Sequence, residues 1–255
     1  MSRVLAAAPS APVAVPERVR VLAGGDDVTP VWHNELGGLT FRLSPPGGTA
    51  VGLAEGDRYV KWVPAGVVGL DLDAEAERLA WAVRYTPVPR VLERGEDAAG
   101  AWLLTEGIPG RSAVDPRWLA RPETAAREIG AGLRALHEAL PVDDCPFSWS
   151  IADRAARLSP AARARVGDVP AADRLVVCHG DPCAPNTLLD DGGRWTAHVD
   201  LDALGVADRW ADLAVASYSL EWNYGDGYEP AFFDGYGIAP DPGRIAFYRH
   251  LWDLG

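Results

Sequence analysis

Cysteine is scarce in this chain of 255 residues, with three residues at Cys145, Cys178 and Cys183. The number is odd and no C-x-x-C pair is present, which argues against a disulfide framework. A reducing environment suits such a composition, so we predict a cytoplasmic protein.

Long apolar runs and excess positive charge are also missing. No uncharged apolar run reaches the roughly 18 to 20 residues that a membrane-spanning helix needs, and Pro9, Pro12 and Pro16 interrupt the apolar stretch near the start. The 24 basic residues face 36 acidic ones, a net charge of −12. Such a surface repels nucleic acids and anionic membranes, and it favours a small polycationic partner.

Lysine is nearly absent: Lys61 is the one lysine, and the other basic residues are arginines. Arginine does not replace a compact ammonium that must fit between phosphate oxygens and a carboxylate. Position 61 therefore either requires a lysine or retains one by chance. The G-x-x-x-x-G-K-[ST] motif is absent, so a P-loop is excluded as the ATP site.

The pattern along the chain is mixed α and β. We predict strands at 37–43, 58–63 and 101–104, a helix at 73–85 with Glu75 beside its apolar stripe, and a mainly helical region from the helix at 123–140 onward. Gly37 and Gly38 either let backbone amides approach phosphates or simply form a turn. The predicted organisation is an irregular lead-in at 1–18, a β-rich N-terminal lobe at 19–106 and a helical C-terminal lobe at 107–255.

The clearest chemical signal is His179-Gly-Asp-Pro-Cys-Ala-Pro-Asn186, followed by Ala197-His-Val-Asp-Leu-Asp202. Phosphoryl transfer needs a carboxylate that accepts the proton of the attacking hydroxyl, and oxygen ligands for Mg²⁺. We predict Asp181 as the base and Asn186 and Asp200 as the metal ligands. The 14 residues from Asn186 to Asp200 leave room for a hairpin that brings the two side chains together.

These residues, with V-D-x-D-x-x-G-x-A-D-R-x-x-D-L-A at 199–214, resemble the aminoglycoside phosphotransferase family, and kanamycin kinase-like 3′-phosphotransferases in particular. The resemblance covers nearly the whole chain. It implies an α+β, bilobal, protein-kinase-like fold, with a small antiparallel β lobe, a larger helical lobe and ATP with Mg²⁺ between them. The implied activity is transfer of the γ-phosphate of ATP to an aminoglycoside hydroxyl, the 3′-OH, which confers antibiotic resistance.

The resemblance also implies roles for residues of the N-terminal lobe. Lys61 would hold the α- and β-phosphates, and Glu75 would pair with it. Tyr59 would pack on the adenine, and the backbones of Thr105 and Gly107 would meet its polar edge.

Some positions depart from the family pattern and put the acceptor in doubt. Asp202 and Ala203 stand where relatives have Gly and Arg, Ser219 stands where an acid is expected, and the segment 141–174 is shortened. We predict that Asp181, Glu221 and Asp253 line an acidic substrate pocket. The protein would act as a monomer or weak homodimer.

Other interpretations remain open from the sequence. A kinase of the same fold could act on another metabolite or a non-aminoglycoside antibiotic. Further alternatives are a nucleotide-binding module without activity, a metal-dependent hydrolase that uses His179 and Asp181, and a zinc site at Cys178, His179 and Cys183. For His179 itself we favour a structural hydrogen bond near Asp200, and for His137 a packed or capping position.

Overall fold

A computed structural model describes residues 9, 12–34, 36–47 and 56–255. The chain divides into two units: the residues up to Val83 with Pro89–Ile108, and Arg84–Val88 with Pro109–Gly255. This division differs from the predicted boundary at 106/107 chiefly because residues 84–88 join the second unit. There Pro87 O accepts a hydrogen bond from the N–H of His198.

The described residues of the first unit form an antiparallel sheet with two helices. Its elements are α1 Glu17–Ala23, β1 Asp27–His33, β2 Leu39–Ser44, β3 Arg58–Pro64, α2 Leu72–Ala82, β4 Val91–Asp97 and β5 Gly100–Glu106. The strand order is β1-β2-β3-β5-β4. Alternate residues of the strands, among them Phe41, Leu43 and Val60, are buried in one core together with Val19 of α1. The period of two therefore places one face of each strand in the core.

Helix α1 corrects part of the predicted irregular lead-in at 1–18. Pro16 occupies the position before the helix, and Glu17 in the first turn suits the helix dipole. Val19 and Ala23, four residues apart, are buried on the same face. The helix therefore begins at Glu17, and residues 1–8, 10 and 11 of the lead-in lie outside the described residues.

The second unit is mainly helical with short strands. Its elements are β6 Arg111–Ser112, α3 Pro116–Leu119, α4 Pro122–Ala139, α5 Ile151–Arg157, α6 Pro160–Arg163, β7 Leu175–Cys178, β8 Thr187–Leu189, β9 Trp195–His198, β10 Gly205–Asp208, α7 Trp210–Tyr224, α8 Glu229–Tyr236 and α9 Pro242–Asp253. Strand β7 pairs with β10, and β8 lies between β6 and β9. Within the described ranges, no helix combines the length and hydropathy needed to cross a bilayer.

Two short sheets position the functional loops of this unit. The antiparallel pair β7–β10 matches Cys178 with Gly205, so the loop that begins at His179 lies beside the loop that ends before Gly205. The antiparallel pair β8–β9 matches Thr187 with His198, and it brings residues 186 and 199 together. The predicted hairpin between Asn186 and Asp200 is thus present, and its second strand, β9, ends at His198, two residues before Asp200.

Candidate active site

The loop at 179–186 connects β7 to β8 and carries the predicted base. Gly180 has a φ of +90°, and a Cβ atom on it would lie 2.2 Å from Ala203 O. A side chain at this position would clash with the backbone of the neighbouring loop, so the motif requires glycine here. The same close approach brings Asp181 next to the segment that contains Asp200.

Asn186 is oriented by Asp181. Its Nδ2 donates hydrogen bonds to Asp181 O at 2.9 Å and to Asp181 Oδ2 at 3.2 Å. A 3₁₀ turn at Ala184–Asn186 makes this contact possible, because it folds the chain back within five residues. With its nitrogen directed at Asp181, the amide oxygen of Asn186 is the atom that can ligate a cation.

Asp200 is held beside this pair by its neighbour in the chain. The N–H of Val199 donates to Asn186 O at 3.0 Å, and His179 Nε2 donates to Val199 O at 3.0 Å. Asp200 has a φ of +65° and is the one non-glycine residue with positive φ among the described residues. Aspartate tolerates this conformation better than most residues, but strain of this kind is concentrated at functional sites.

The carboxylates of this group repel one another. Burial raises the pKa of Asp181 to about 6, and the negative charges of Asp200 and Asp202 contribute in the same direction. Asp181 Oδ1 is buried without a hydrogen-bond partner in the described part of the chain. Carboxylate and amide oxygens are the ligands that Mg²⁺ prefers, so this donor set fits a magnesium ion.

The fully buried carboxylate of Asp212 holds the start of the 179–186 loop in place through hydrogen bonds. It accepts hydrogen bonds from His179 N at 2.6 Å and from Gly180 N at 3.0 Å. His137 Nε2 donates to the same carboxylate at 2.9 Å, and His137 Nδ1 lies 2.9 Å from the hydroxyl of Tyr236. His137 is therefore a packed histidine, as predicted. Asp212 is the last residue of the D-R-x-x-D part of the motif at 199–214, but nothing in the local spacing predicts this role.

His179 has both ring nitrogens engaged. Besides the bond to Val199 O, its Nδ1 accepts a hydrogen bond from Asp181 N at 3.3 Å. Burial is the main reason that its pKa is lowered, which keeps the ring neutral. The predicted structural hydrogen bond near Asp200 is confirmed, and the geometry does not support His179 as the acid or base of a hydrolase.

The structure does not support a zinc site at Cys178, His179 and Cys183. Among the described residues, the metal-ligand types that converge are His137, Cys178 and Asp212, whose ligand atoms lie within 4.8 Å of one another. The Asp212 carboxylate already binds His137 and two backbone amides. These hydrogen bonds assign the cluster a structural role.

Buried His198 makes the stability of this region sensitive to acid. Burial lowers its pKa well below the usual value of 6.5. Below about pH 6.5 the unfolded chain binds a proton at this position and the folded chain does not, so the free energy of unfolding falls as the pH falls. One such histidine contributes a slope of ~1.4 kcal/mol per pH unit.

We therefore expect His198→Gln to flatten the pH dependence of the unfolding free energy below pH 6.5 by about this slope. Chemical denaturation between pH 5 and 7.5 measures it. The exposed His33, changed to Gln in the same way, serves as the control for the loss of one histidine. Parallel curves for the wild type and His198→Gln would contradict the prediction.

In the first unit, Lys61 of β3 forms an ion pair with Glu75 of α2. Lys61 Nζ lies 2.7 and 2.8 Å from the two carboxylate oxygens. The Glu75 side chain is 4% exposed, whereas that of Lys61 is 26% exposed. Loss of the lysine would leave a buried carboxylate without its cation, which is strongly destabilising. The pair also holds the ammonium at a defined position while keeping it accessible.

The other predicted nucleotide contacts lie on the adjacent strands of this unit. Tyr59 of β3 is paired with Thr105 of β5. The N–H of Gly107 donates to Asp57 O at 2.8 Å, and a Cβ atom on Gly107 would lie 2.6 Å from that oxygen. This glycine is required for the close approach of the two backbones. Its N–H is already bonded, so its carbonyl is the group that remains for adenine.

Gly37 and Gly38 form a turn. Gly37 N donates to Asn34 O, and Gly38 N donates to Asn34 Oδ1 at 2.7 Å. Because both amides are hydrogen-bonded to Asn34, the turn interpretation is favoured over a phosphate contact.

The predicted substrate acids differ in their surroundings. Glu221 of α7 accepts a hydrogen bond from Arg249 of α9 at 2.9 Å, and Arg249 also pairs with Glu229. The charge of Glu221 is therefore partly offset. Asp253, at the end of α9, is exposed.

The fold and the carboxylate–amide loop define a phosphotransferase of the kinase-like class. The model of the phosphotransferase enzyme family (APH) matches residues 49–248. The chain belongs to this family, the aminoglycoside phosphotransferases, and is a small-molecule phosphotransferase with an alcohol acceptor. The predictions of family, α+β kinase-like fold and enzyme class are confirmed.

Three similar proteins show the extent of the likeness. An aminoglycoside 3′-phosphotransferase of Streptomyces fradiae is 40% identical over 213 residues, which cover 71% of this chain and 78% of that protein. The streptomycin 3″-kinase of Streptomyces griseus is 36% identical over 263 residues, covering 89% and 92%. The structure of aminoglycoside phosphotransferase APH(3″)-Id from Streptomyces rimosus, in complex with ADP and streptomycin, has a TM-score of 0.66 at 32% identity, covering 92% and 95%. Enzymes of this family use ATP and Mg²⁺.

Proposed function

We propose that this chain transfers the γ-phosphate of ATP to a hydroxyl of an aminoglycoside antibiotic, the 3′-OH, and thereby confers resistance. The observation that carries the proposal is the arrangement of Asp181, Asn186 and Asp200 around one loop. The relatives that act on aminoglycosides support the choice of acceptor. The enzyme acts as a monomer or weak homodimer in the cytoplasm, where ATP is present, and binds neither nucleic acid nor membranes.

Asp181 orients the acceptor hydroxyl and takes its proton. The hydroxyl oxygen forms a bond to the γ-phosphorus while the bond between this phosphorus and the β–γ bridging oxygen breaks, and ADP leaves. The hydrogen bond from Asn186 to Oδ2 fixes the Asp181 carboxylate, and the unpartnered Oδ1 is the atom that receives the proton. Burial and neighbouring charge make this carboxylate a stronger base than an ordinary aspartate.

Asn186 and Asp200 hold the magnesium ion through their side-chain oxygens. When bound, Mg²⁺ neutralises the charge of the nucleotide phosphates. After burial, the negative charge of Asp200 is the next cause of the raised pKa of Asp181, and this repulsion favours a cation at this position.

The first unit binds the nucleotide. Lys61, oriented by Glu75, holds the α- and β-phosphates. Tyr59 packs on the adenine ring, and the backbones of Thr105 and Gly107 meet its polar edge, with Gly107 contributing its carbonyl oxygen. A lysine suits the phosphate position because its ammonium is a compact point charge.

Product analysis on a panel of acceptors tests the proposal. The purified protein is incubated with ATP and Mg²⁺ and with kanamycin, streptomycin, choline, a macrolide or a neutral sugar, and ADP release is followed. Phosphorus and proton NMR then identify the phosphorylated hydroxyl. We expect phosphorylated kanamycin, modified at the 3′-OH. Transfer to streptomycin alone would move the assignment to the 3″-OH, and transfer to choline or a macrolide alone would refute the aminoglycoside proposal.

The salt dependence of the reaction tests the acidic pocket of Asp181, Glu221 and Asp253. Attraction between exposed charges is screened beyond about 8 Å at physiological ionic strength. The KM for the aminoglycoside should therefore rise steeply between 50 and 500 mM NaCl while kcat changes little. A flat response would favour a neutral acceptor.

Single substitutions measure how much each acidic side chain contributes to the KM for the aminoglycoside. Asp253→Asn should raise the KM by up to about fivefold, the size of one exposed ion pair. Glu221→Gln should change it less, because Arg249 already offsets that charge. Asp27→Asn removes an exposed carboxylate of the first unit and is the control. Equal effects of all three substitutions would contradict the assignment.

A further inference from the structure

Helix α7 contacts the phosphotransfer loop at two points. Asp212, near the start of the helix, binds the amides of His179 and Gly180. Ser219 lies seven residues further along, about two helical turns, and so on the same face of the helix. Its Oγ accepts a hydrogen bond from Ala184 N at 2.9 Å. Both side chains are fully buried.

Ser219 is itself held by the next turn of the helix. Asn223 Nδ2 donates to Ser219 O at 2.8 Å and to Ser219 Oγ at 3.1 Å. The Ser219 hydroxyl oxygen thus accepts two hydrogen bonds, one from the Ala184 amide of the loop and one from the Asn223 side chain of the helix. A hydroxyl with this geometry has one orientation, because its own hydrogen must point away from both donors.

Cys183 precedes Ala184 in the loop and lies two residues from Asp181. Burial raises the pKa of its thiol, and the negative charge of Asp181 acts in the same direction, which keeps the thiol protonated. The hydrogen bonds that run from Asn223 through Ser219 end at Ala184, three residues from Asp181 and two from Asn186.

We propose that Ser219, held by Asn223, is a positioning residue that fixes the loop between the base Asp181 and the metal ligand Asn186. The backbone amide of Ala184 is the contact that matters, because Ala184 begins the 3₁₀ turn that directs Asn186 towards Asp181. Asp212 fixes one end of the loop and Ser219 the other. The catalytic part of this inference rests on the proposed function, whereas the structural part does not.

The matched experiment compares Ser219→Ala with Ser217→Ala. Ser217 is on the same helix and is equally buried, but its Oγ binds Ala214 O and Arg249 rather than the loop. Ser219→Thr, which keeps the hydroxyl, tests for rescue. We measure kcat, the KM values for ATP and acceptor, the melting temperature, and amide hydrogen exchange of peptides from 179–189 in the ligand-free enzyme.

In Ser219→Ala we expect kcat to fall about tenfold, the usual size for one buried neutral hydrogen bond, with the KM for ATP unchanged. Exchange of the loop peptides should quicken by a similar factor. Ser217→Ala should lower the melting temperature without either effect, and Ser219→Thr should restore most of kcat. If Ser219→Ala does not fold, the partly exposed Asn223→Ala should show the same two effects in weaker form.

Two results would overturn the proposal. The first is loop exchange that stays at the wild-type rate in Ser219→Ala, or in Asn223→Ala if Ser219→Ala does not fold. The second is faster loop exchange with an unchanged kcat. The exchange measurement needs no substrate. Faster loop exchange in an enzyme that phosphorylates no aminoglycoside would therefore refute the proposed acceptor while leaving the structural role of Ser219 in place.

Discussion

Replacing Asp181 with Asn is expected to lower kcat by about 10²- to 10⁴-fold, the usual contribution of a positioned general base. The amide has nearly the same shape as the carboxylate, so the loop should keep its fold, but it cannot take the proton of the acceptor hydroxyl. Steady-state ADP release with the best aminoglycoside measures the loss.

The nucleotide should still bind to this variant, because Lys61, which we assign to the phosphates, and Glu75, which orients it, belong to the first unit. Calorimetry with a non-hydrolysable ATP analogue checks this point. The control is Asp190→Asn, which changes a carboxylate bonded to the backbone N–H of Arg194 and should leave turnover unchanged. Turnover of Asp181→Asn near the wild-type value would show that another group accepts the proton.

Asp200→Asn should reduce activity by about 10²-fold or more and raise the Mg²⁺ concentration needed for half-maximal rate. Asparagine replaces an anionic ligand with a neutral one, which Mg²⁺ binds less well. It also tolerates a φ of +65°, as few other residues do, so the backbone conformation of Asp200 should be kept. A titration of rate against Mg²⁺ at saturating ATP measures the change.

Asp202→Asn is the matched control for this variant, because it removes one negative charge two residues away at an exposed position. We expect a shift in the Mg²⁺ titration that is much smaller than that of Asp200→Asn. An Asp200→Asn enzyme with the wild-type Mg²⁺ requirement would remove this residue from the metal site. Equal shifts in both variants would mean that Asp202 shares the role.

Much of the candidate site could be predicted from the sequence because its residues are close together in the chain. Asp181 and Asn186 are five residues apart, and the short strands β8 and β9 bring Asp200 back to them. Local spacing and a hairpin were enough to infer this group. Lys61 was conspicuous as the one lysine, and its ion pair with Glu75 joins neighbouring elements, β3 and α2.

The residues that hold the loop in place could not be predicted in the same way. Asp212 and Ser219 contact it across 33 and 35 residues of sequence, and His137 reaches Asp212 across 75. No local pattern distinguishes a buried serine that binds a loop amide from Ser217, which binds its own helix. Which backbone group of Gly107 is available also depends on the fold, which shows that Asp57 O already accepts a hydrogen bond from the N–H of Gly107.

The sequence by itself determined the chemical groups of this protein and their order: a lysine on a strand, a glutamate on the next helix, and a loop with a base and two oxygen ligands. Those follow from residue type and short-range spacing, which the chain carries directly. The tertiary structure alone decided which of these groups stay available. Packing engages the Glu221 charge with Arg249 and both nitrogens of His179 with backbone groups, whereas Asp181 Oδ1 is left without a partner in the described part of the chain. The physical reason is that burial and hydrogen-bond satisfaction depend on contacts between residues far apart in sequence.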